Sequence, residues 1–559
     1  AYEIIRQAQK KRKYYKEQVY QYQCNVYIKG GIKLLDVPKK ILGRDLGDLG
    51  GQLDSNRQGI VYLSESEAIL NFRQPDQYKE IMTSSKVSGD DNGFSFNRAS
   101  EMDFNLYENS ALYFSNREVV SPIANNAFNY YRYKLLGTFY DEKGLLINKI
   151  EILPKRKEDP SYGGILYIVD KLWVIQSTEL FLTAKSIKQA AVDTMWLKQL
   201  HVPVAEPDVW KMFSQTISFT GGYFGFKLKG DFTGIFKNYN LHQTYKKDFF
   251  DNEVLVFEKG ANEKTLDYWQ ESRPIPLTEE ESIDYVKKDS IQNLKESKTY
   301  LDSLDIESNK FKLSDLITGY THNTSFESKN IRISSPLNGI SRNTVQGYNS
   351  NLKIKYTKRY DGFKNYLSLS GAINYSFETQ RTRGNVSATY KFNDTDDLTV
   401  GLTTGISVSQ FNSQEPISEL VNSISTLYFE ENYMKLYESR FVKTYYSQEL
   451  FNGFSFDSSI SYEDRRALYN LNKYSADQNE GSDFTSNNPL DPLNYNTAPF
   501  ENHTIVKFKI NGDIRFGQKY LSYPGRKINI PNLKYPKFGF SFEKGISVDK
   551  SNYNFDHLS

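Results

Sequence analysis

The side chains that could carry out chemistry are sparse and scattered in this chain of 559 residues. Its five histidines and its one cysteine, Cys24, form no evident ligand cluster, and no two histidines stand four residues apart. Acidic pairs such as Asp396-Asp397 suit solvated turns better than acid/base sites, because adjacent strand residues point to opposite faces. The run Gly221-Gly222-Tyr223-Phe224-Gly225 lacks the GxGxxG spacing and the phosphate-loop lysine. We therefore predict a protein that is not an enzyme, with no metal and no cofactor.

The composition narrows the class of protein further. Lys plus Arg total 70 and Asp plus Glu total 68, a net charge of +2 that argues against a dedicated nucleic-acid binder. Aromatic residues make up 15% of the chain, although hydrophobic residues of all kinds reach only 38%. No apolar run approaches about 18 residues, which excludes a membrane-spanning helix. Cys24 lies in an alternating run and is expected to be a buried small apolar residue.

The first half of the chain predicts a β-rich domain behind a short helix. Residues 1–20 predict a basic amphipathic helix that either packs on a sheet with its charges solvated or is attracted to an anionic lipid surface. Residues 21–258 predict a periplasmic β-rich domain, in which 164–169 and 172–175 should form a hairpin. Its long alternation resembles the curved half-barrel of periplasmic lipoprotein carriers, at the level of the fold alone.

Residues 259–310 predict a helical joint between two parts of the protein. Thr278 and Glu281 have the spacing of a capping box, and two prolines just before them fix an extended approach. One helix is expected to run from there to about residue 304. The candidate residues of the joint are Trp269, Arg273, Thr278, Glu281 and Tyr300.

Residues 311–559 alternate with a period of two and predict the strands and loops of a transmembrane β-barrel. The runs 398–408 and 506–516 are long enough for tilted membrane strands, which need about nine to eleven residues. Their polar partners are Ser, Thr, Asn, Gly and Lys, as expected of a hydrated interior. The candidate lipid-facing residues are Leu398, Val400, Leu402, Ile406, Val408, Val506, Phe508, Ile510, Phe538, Phe540 and Phe542.

The connections between these strands agree with a membrane barrel. The turn 393–397 is short, 463–503 is long and polar, and 410–437 is long with several apolar residues. Barrels commonly carry short turns on one rim and long loops on the other. The last residues do not resemble the end of a barrel strand, so the barrel is expected to be incomplete in this chain. The predicted fold class is therefore mainly β, a half-barrel-like domain with a few helices followed by an antiparallel outer-membrane barrel. A soluble all-β protein is the alternative.

Several motifs resemble one uncharacterised bacterial outer-membrane family. They are Trp269, Arg273-Pro274-Ile275-Pro276-Leu277-Thr278, Lys288-Asp289-Ser290, Tyr300-Leu301-Asp302-Ser303, Asn309-Lys310, Gly319-Tyr320, Asn343-Thr344-Val345-Gln346-Gly347-Tyr348 and the earlier Val26-Tyr27-Ile28-Lys29-Gly30. In that family a carboxypeptidase-regulatory-like domain, absent here, precedes a periplasmic region and a C-terminal barrel. The resemblance implies an outer-membrane location with the N-terminal part in the periplasm, and it implies no catalytic residues.

Three roles remain open for such a protein. The first is an accessory component of a complex for assembly or export of outer-membrane proteins, with outer-membrane lipid and other outer-membrane or periplasmic proteins as partners and no nucleic acid. The second is a transporter or pore. The third is a surface glycan-binding barrel, in which Tyr469, Tyr474 and Tyr495 of the long external loop would stack on sugars.

Overall fold

The computed structural model describes residues 1–559 apart from 91–92, 96, 103, 113–116, 206–207, 361, 363–364, 413–415, 472–483, 532–533 and 550. Its described part is mainly β, which confirms the predicted fold class. The chain divides into two units. The first unit comprises Ala1–Leu294 and Tyr520–Pro524, and the second comprises Lys295–Lys519 and Gly525–Ser559.

Helices are short and few in the described residues. The α-helices are α1 (Tyr2–Glu17), α2 (Ala127–Tyr130), α3 (Ala184–Ile187), α4 (Leu266–Ser272), α5 (Glu279–Glu296), α6 (Lys298–Ser308), α7 (Asp315–Thr318) and α8 (Glu419–Tyr428). Helix α1 forms as predicted, because Ile5 and Ala8 lie on one face of it and are fully buried. The lysines that follow them remain outside the core, so the helix packs on the first unit with its charges solvated.

The strands up to residue 257 vary from two residues to sixteen in length. They are β1 (Gln21–Asp36), β2 (Lys40–Ile41), β3 (Arg44–Asp45), β4 (Gly59–Arg73), β5 (Gln77–Val87), β6 (Ser110–Leu112), β7 (Glu118–Val120), β8 (Tyr131–Tyr140), β9 (Leu146–Pro154), β10 (Gly163–Val169), β11 (Ile175–Thr183), β12 (Val192–Ala205), β13 (Val209–Tyr223), β14 (Phe226–Asn240) and β15 (Glu253–Phe257).

The later strands are mostly longer than ten residues. They are β16 (Tyr320–Thr324), β17 (Lys329–Ile333), β18 (Ile340–Asn343), β19 (Gly347–Tyr360), β20 (Asn365–Ser376), β21 (Arg381–Lys391), β22 (Thr399–Gln410), β23 (Leu436–Phe451), β24 (Phe454–Ala467), β25 (His503–Arg515), β26 (Tyr520–Tyr523), β27 (Arg526–Asn529), β28 (Lys537–Ser547) and β29 (Phe555–Leu558).

One large sheet organises the first unit. Its strands follow the order β26-β15-β5-β4-β1-β14-β13-β12-β11-β10-β9-β8. Neighbours are antiparallel, except that β15 is parallel to both β5 and β26. A continuous apolar cluster covers one face of this sheet and joins Ile5 and Ala8 of α1 to Cys24 and Ile28 of β1. Cys24 is fully buried there, as predicted for a small apolar residue.

The second unit is built on an antiparallel meander. Its strands follow the order β16-β17-β19-β20-β21-β22-β23-β24-β25-β28-β29, and β18 pairs with β19 beside this path. The two runs predicted as membrane strands correspond to β22 and β25, which have 12 and 13 residues. Among the described residues no pairing joins the first strand of this sheet to the last.

Two local predictions need correction. The predicted hairpin forms between β10 and β11, but its second strand begins only at Ile175. Lys171 and Trp173 both have positive φ, so residues 170–174 make a wider turn than the predicted two-residue link. The predicted long helix of the joint is divided into α5 and α6, because Ser297 leaves the helical conformation and caps α6 through the N–H of Tyr300.

The division between the units lies inside the predicted joint, at residues 294 and 295. The chain also returns to the first unit at residues 520–524.

Candidate functional site

One face of the meander in the second unit carries apolar side chains across eight neighbouring strands, β19–β25 and β28. Directly paired residues share a face, so the register links Leu402 to Ala388 on one side and to Thr444 on the other. We call this side the apolar face. Its exposed apolar residues are Ile354, Leu369, Ile373, Val386, Val400, Leu402, Val442, Ile460, Tyr462, Phe508, Phe538, Phe540 and Ile546.

The opposite side of the same strands, here the polar face, carries hydroxyl and charged groups. Its members include Lys353, Lys355, Ser370, Ser387, Thr403, Lys443, Ser461, Glu463, Lys507, Lys509 and Glu543. Many of them interact with each other. The Ser387 and Thr403 hydroxyls lie 2.9 Å apart, and Glu463 pairs with Lys507 at 2.7 Å. The sheet is therefore apolar on one side and hydrated on the other.

Most of the predicted lipid-facing residues lie on the apolar face. Val400, Leu402, Val506, Phe508, Ile510, Phe538, Phe540 and Phe542 share it through the register, and Leu398 comes directly before β22.

Ile406 and Val408 lie further along β22. Both line a small polar cavity of about 180 Å³, and Val408 packs against the buried Met434 and Leu436. Gly405, just before them, has a φ of +152°, but the pairing of β22 with β21 and β23 runs through it without a register shift. That Ile406 and Val408 face lipid stays a prediction.

Each rim of this sheet carries both short and long connections. On one rim the connections 361–364, 392–398 and 452–453 are short, whereas 516–536 between β25 and β28 is long. On the other rim 377–380 is short, whereas 411–435 and 468–502 are long. The expected division into a short-turn rim and a long-loop rim is therefore incomplete.

Two of the three tyrosines considered for glycan stacking lie in the described residues. Tyr469 is 48% exposed, whereas the Tyr495 hydroxyl donates to the backbone oxygen of Phe484 and holds the loop together. Tyr474 lies outside the described residues.

The first unit contains a buried ion pair at the predicted joint. Arg273 donates from Nε and Nη2 to the two oxygens of Glu65, at 2.6 and 2.7 Å, and the Glu65 side chain has no exposed surface. The Tyr27 hydroxyl donates to the same carboxylate at 2.7 Å. Trp269, one turn earlier in α4, is also fully buried. Sequence reasoning identified Arg273 and Trp269 but missed Glu65, whose only signal was a charged residue inside a β-prone run.

The capping box beside this pair is present as predicted. The Thr278 N–H donates to Glu281 at 2.8 Å, and the Glu281 N–H donates to the Thr278 hydroxyl at 3.2 Å. Glu281 also receives Lys29 Nζ of β1 at 2.9 Å, which ties the start of α5 to the sheet. Tyr300, the remaining joint candidate, belongs to the second unit. Arg273 and Glu281 thus connect the helical segments to the sheet of the first unit, which is a structural role.

Burial and charge shift several titratable groups of this cluster. Burial, reinforced by the Glu65 charge, raises the pKa of both Tyr27 and Tyr285, so both hydroxyls stay protonated. Burial alone would lower the pKa of Arg273, but its hydrogen bonds with Glu65 raise it above its usual value. The Arg273 guanidinium therefore stays charged, and it pairs with Glu65 through two hydrogen bonds.

The first unit also encloses a cavity of about 1060 Å³. Residues from α1, from β1, β4, β5, β12, β13 and β14 and from the segment 97–111 line it, among them Phe72, Trp210 and His201. Burial, with a smaller contribution from the positive charge of Lys211, lowers the pKa of His201 to about 4, so its imidazole is neutral near pH 7. Sequence reasoning missed this cavity, although the period-two aromatic residues of β13 and β14 were a usable signal.

In the described part of the chain, no three His, Cys, Asp or Glu side chains come together as metal ligands. None of the described helices combines the length and the apolar character needed to cross a bilayer.

The fold thus defines a two-unit β protein in which one sheet has an exposed apolar face and the other encloses a large cavity. Residues 4–239 match the family of unknown function DUF5686, and residues 314–559 match the C-terminal domain of that family. The chain belongs to this family. The resemblance to an uncharacterised family is therefore confirmed, whereas neither matched region is a carboxypeptidase-regulatory-like domain.

No curated protein matches the chain. Among solved structures, the outer membrane channel DcaP of Acinetobacter baumannii is similar at 7% identity and a TM-score of 0.19, covering 97% of this chain and 94% of that chain. OpdQ of Pseudomonas aeruginosa is similar at 8% identity and a TM-score of 0.20, with coverages of 96% and 95%. TM-scores of this size do not define a common fold.

Proposed function

We propose that this chain is an integral outer-membrane β protein whose second unit contacts lipid through the apolar face. The single observation that supports this most strongly is the division of the sheet into an apolar and a polar face. Strands lie about 4.8 Å apart and rise about 3.4 Å per residue, so eight strands that are each seven residues long, with seven gaps between strands and six steps between residues, cover roughly 700 Å². The largest apolar patch on a typical soluble monomer is only about 300–600 Å².

Lipid is the environment that this face suits. Exposed Ile, Leu, Val and Phe side chains gain free energy when they leave water, and the strands between them satisfy their own backbone groups by pairing. A protein partner could cover a patch of this size, but it would leave the strand lengths unexplained. A bilayer accounts for both features.

The role that we propose for the protein is accessory and non-enzymatic, in the assembly or export of outer-membrane proteins. The first unit, assigned here to the periplasm, is as large as the membrane unit and offers a binding cavity rather than a catalytic constellation. Arg273 and Glu65 neutralise each other, and the tyrosines around them stay protonated. These features favour a unit that binds and holds other molecules.

A pore is the second candidate function. The polar face of the meander carries charged pairs such as Glu463 with Lys507, which suit a hydrated interior. Single-channel recording in planar bilayers separates the two candidates. Steady conductance that the charge-reversing variant Lys507→Glu alters supports the pore, and an electrically silent protein supports the accessory role.

The membrane assignment is tested by fractionating native cells. Membranes are washed with alkaline carbonate, separated by density and probed for this chain. We expect it in the outer-membrane fraction after the wash. Recovery in the soluble fraction, or release by carbonate, would contradict the assignment.

The accessory role is tested on the same material. The tagged chain is extracted in a mild detergent after reversible crosslinking, and its partners are identified by mass spectrometry. We expect specific outer-membrane or periplasmic proteins at constant stoichiometry. A protein that is always isolated alone would refute the accessory role while leaving the membrane assignment intact.

A further inference from the structure

The large cavity of the first unit has the size and walls of a site for an apolar ligand. We propose that it binds a long acyl chain. Its volume of about 1060 Å³ lies at the upper end of the range for small-molecule sites, which is about 300–1,000 Å³. All residues that line the cavity belong to the first unit, so acyl-chain binding does not depend on the membrane assignment of the second unit.

Aromatic and sulfur-containing side chains form the walls. On one side Tyr22, Phe72 and Tyr78 stand in a row on β1, β4 and β5, with ring centroids 5.1 and 5.0 Å apart. Trp210 and Met212 of β13 also line the cavity. The walls are therefore apolar over several neighbouring strands.

These walls are only partly covered by protein. Tyr22, Tyr78 and Met212 pack at the edge of the main apolar cluster and are partly buried, unlike the fully buried Ile5 or Cys24. Protein interiors are normally close-packed, so apolar walls around a space of this size lose contacts that a ligand can restore. A flexible methylene chain fits irregular walls, and the methionine adapts to it because its side chain is unbranched.

The charged residues that line the cavity carry both signs. Lys16 pairs with Glu108 at 2.6 Å, and both side chains are nearly half exposed. Arg98 pairs with Glu101, and Lys211 Nζ lies 4.8 Å from the ring centroid of Tyr22. Since acidic groups are compensated by basic ones, the lining does not select a strongly charged ligand. The site can therefore recognise the acyl chain of a ligand, while the polar headgroup of that ligand remains at the solvated edge.

Quenching of Trp210 by a brominated chain tests the proposal. The full chain is held in an amphipathic polymer, because detergent tails would compete, and is titrated with stearic acid brominated in mid-chain. We expect saturable quenching that the Trp210→Phe variant loses. Displacement by unlabelled fatty acids should weaken about 15-fold for every two methylenes removed, since each contributes about 0.8 kcal/mol.

Two variants distinguish the cavity from the rest of the surface. Phe72→Gln removes an apolar wall and is expected to weaken binding about 10-fold. Phe139→Gln is the matched control, because Phe139 is 45% exposed in the same unit and does not line the cavity. Thermal unfolding and far-UV circular dichroism establish that each variant is folded. A folded Phe72→Gln that binds as tightly as the control, or affinity independent of chain length, would overturn the proposal.

The acyl chain could belong to a membrane lipid or to a lipid-modified protein, and a competition experiment distinguishes the two. A lysophospholipid and a synthetic diacylated lipopeptide are each used to displace the brominated stearic acid. Tighter displacement by the lysophospholipid assigns the site to membrane lipid, and tighter displacement by the lipopeptide assigns it to lipid-modified proteins. If the brominated stearic acid does not bind, and neither the lysophospholipid nor the lipopeptide binds, an acyl-chain site is refuted.

Discussion

A lysine substitution at the centre of β21 tests whether the apolar face contacts lipid. Val386 is the middle residue of this strand, is 60% exposed and lies on the apolar face opposite Gly371 and Thr404. Ser387, its neighbour, points to the polar face. Val386→Lys and Ser387→Lys therefore add the same charge one residue apart, on opposite sides of one sheet.

Lipid and water on the apolar face predict different changes in the free energy of unfolding for Val386→Lys and Ser387→Lys. A lysine at the bilayer midplane costs about 2–4 kcal/mol, whereas a lysine replacing an exposed valine in water changes stability by about 0.5 kcal/mol or less. Ser387→Lys loses the 2.9 Å hydrogen bond to Thr403, which costs about 1 kcal/mol. In lipid Val386→Lys is thus the more destabilising change by about 1–3 kcal/mol, and in water the order is reversed.

Denaturant unfolding in phospholipid vesicles measures the difference. Far-UV circular dichroism follows the strands of both units. Tryptophan fluorescence follows the first unit alone, because Trp173, Trp196, Trp210 and Trp269 are the four tryptophans of the chain and all lie there. Equal midpoints for the two variants, or a smaller cost at Val386 than at Ser387, would refute contact between the apolar face and lipid.

Three further predictions concern the first unit. Arg273→Met should lower its free energy of unfolding by about 3–5 kcal/mol in fluorescence-monitored titrations, because the buried carboxylate of Glu65 loses its partner. Thr278→Ala should cost about 1 kcal/mol in the same assay, because the helix loses its capping hydroxyl. The pKa of His201 is about 4 in the folded protein and 6.5 for an ordinary histidine. Its neutral form is therefore favoured by folding, and the resulting stability, about 3 kcal/mol, is present above pH 6.5 and lost as the pH falls towards 4. His201→Gln should flatten this part of the stability profile.

Each of these has a matched control. Glu65→Gln combined with Arg273→Met should recover most of the lost free energy, and a single-variant cost below about 1 kcal/mol would contradict an uncompensated buried charge. Thr278→Ser, which keeps a hydroxyl, should behave as the unchanged protein. If His201→Gln retains the full acid dependence, other groups of the first unit carry it.

The alternation of the second half was enough to predict its strands and most of its apolar face. A period of two is a local property, and β22 and β25 contain the runs that showed it. That Ile406 and Val408 face lipid stays a prediction, because both line a cavity and follow Gly405, whose φ is +152°. Alternation in the sequence contains neither the cavity nor the backbone angle.

The candidate sites of the first unit were less predictable. Capping depends on residues three positions apart, so Thr278 and Glu281 were sufficient to predict it. The partner of Arg273 is 208 positions away in the sequence, and the walls of the cavity come from six strands, from helix α1 and from connecting segments. Contacts of this kind are set by strand order, which alternation does not contain.

The position of β26 has a consequence for biosynthesis. This strand is the parallel neighbour of β15, and Ser522 hydrogen-bonds to Glu253, 269 positions earlier. Because translation proceeds from the N-terminus, this edge of β15 stays unpaired until Tyr520–Tyr523 have been synthesised. An unpaired rim invites mispairing with other chains. A nascent chain of this protein therefore has a long interval in which a chaperone that shields bare strands would be most useful.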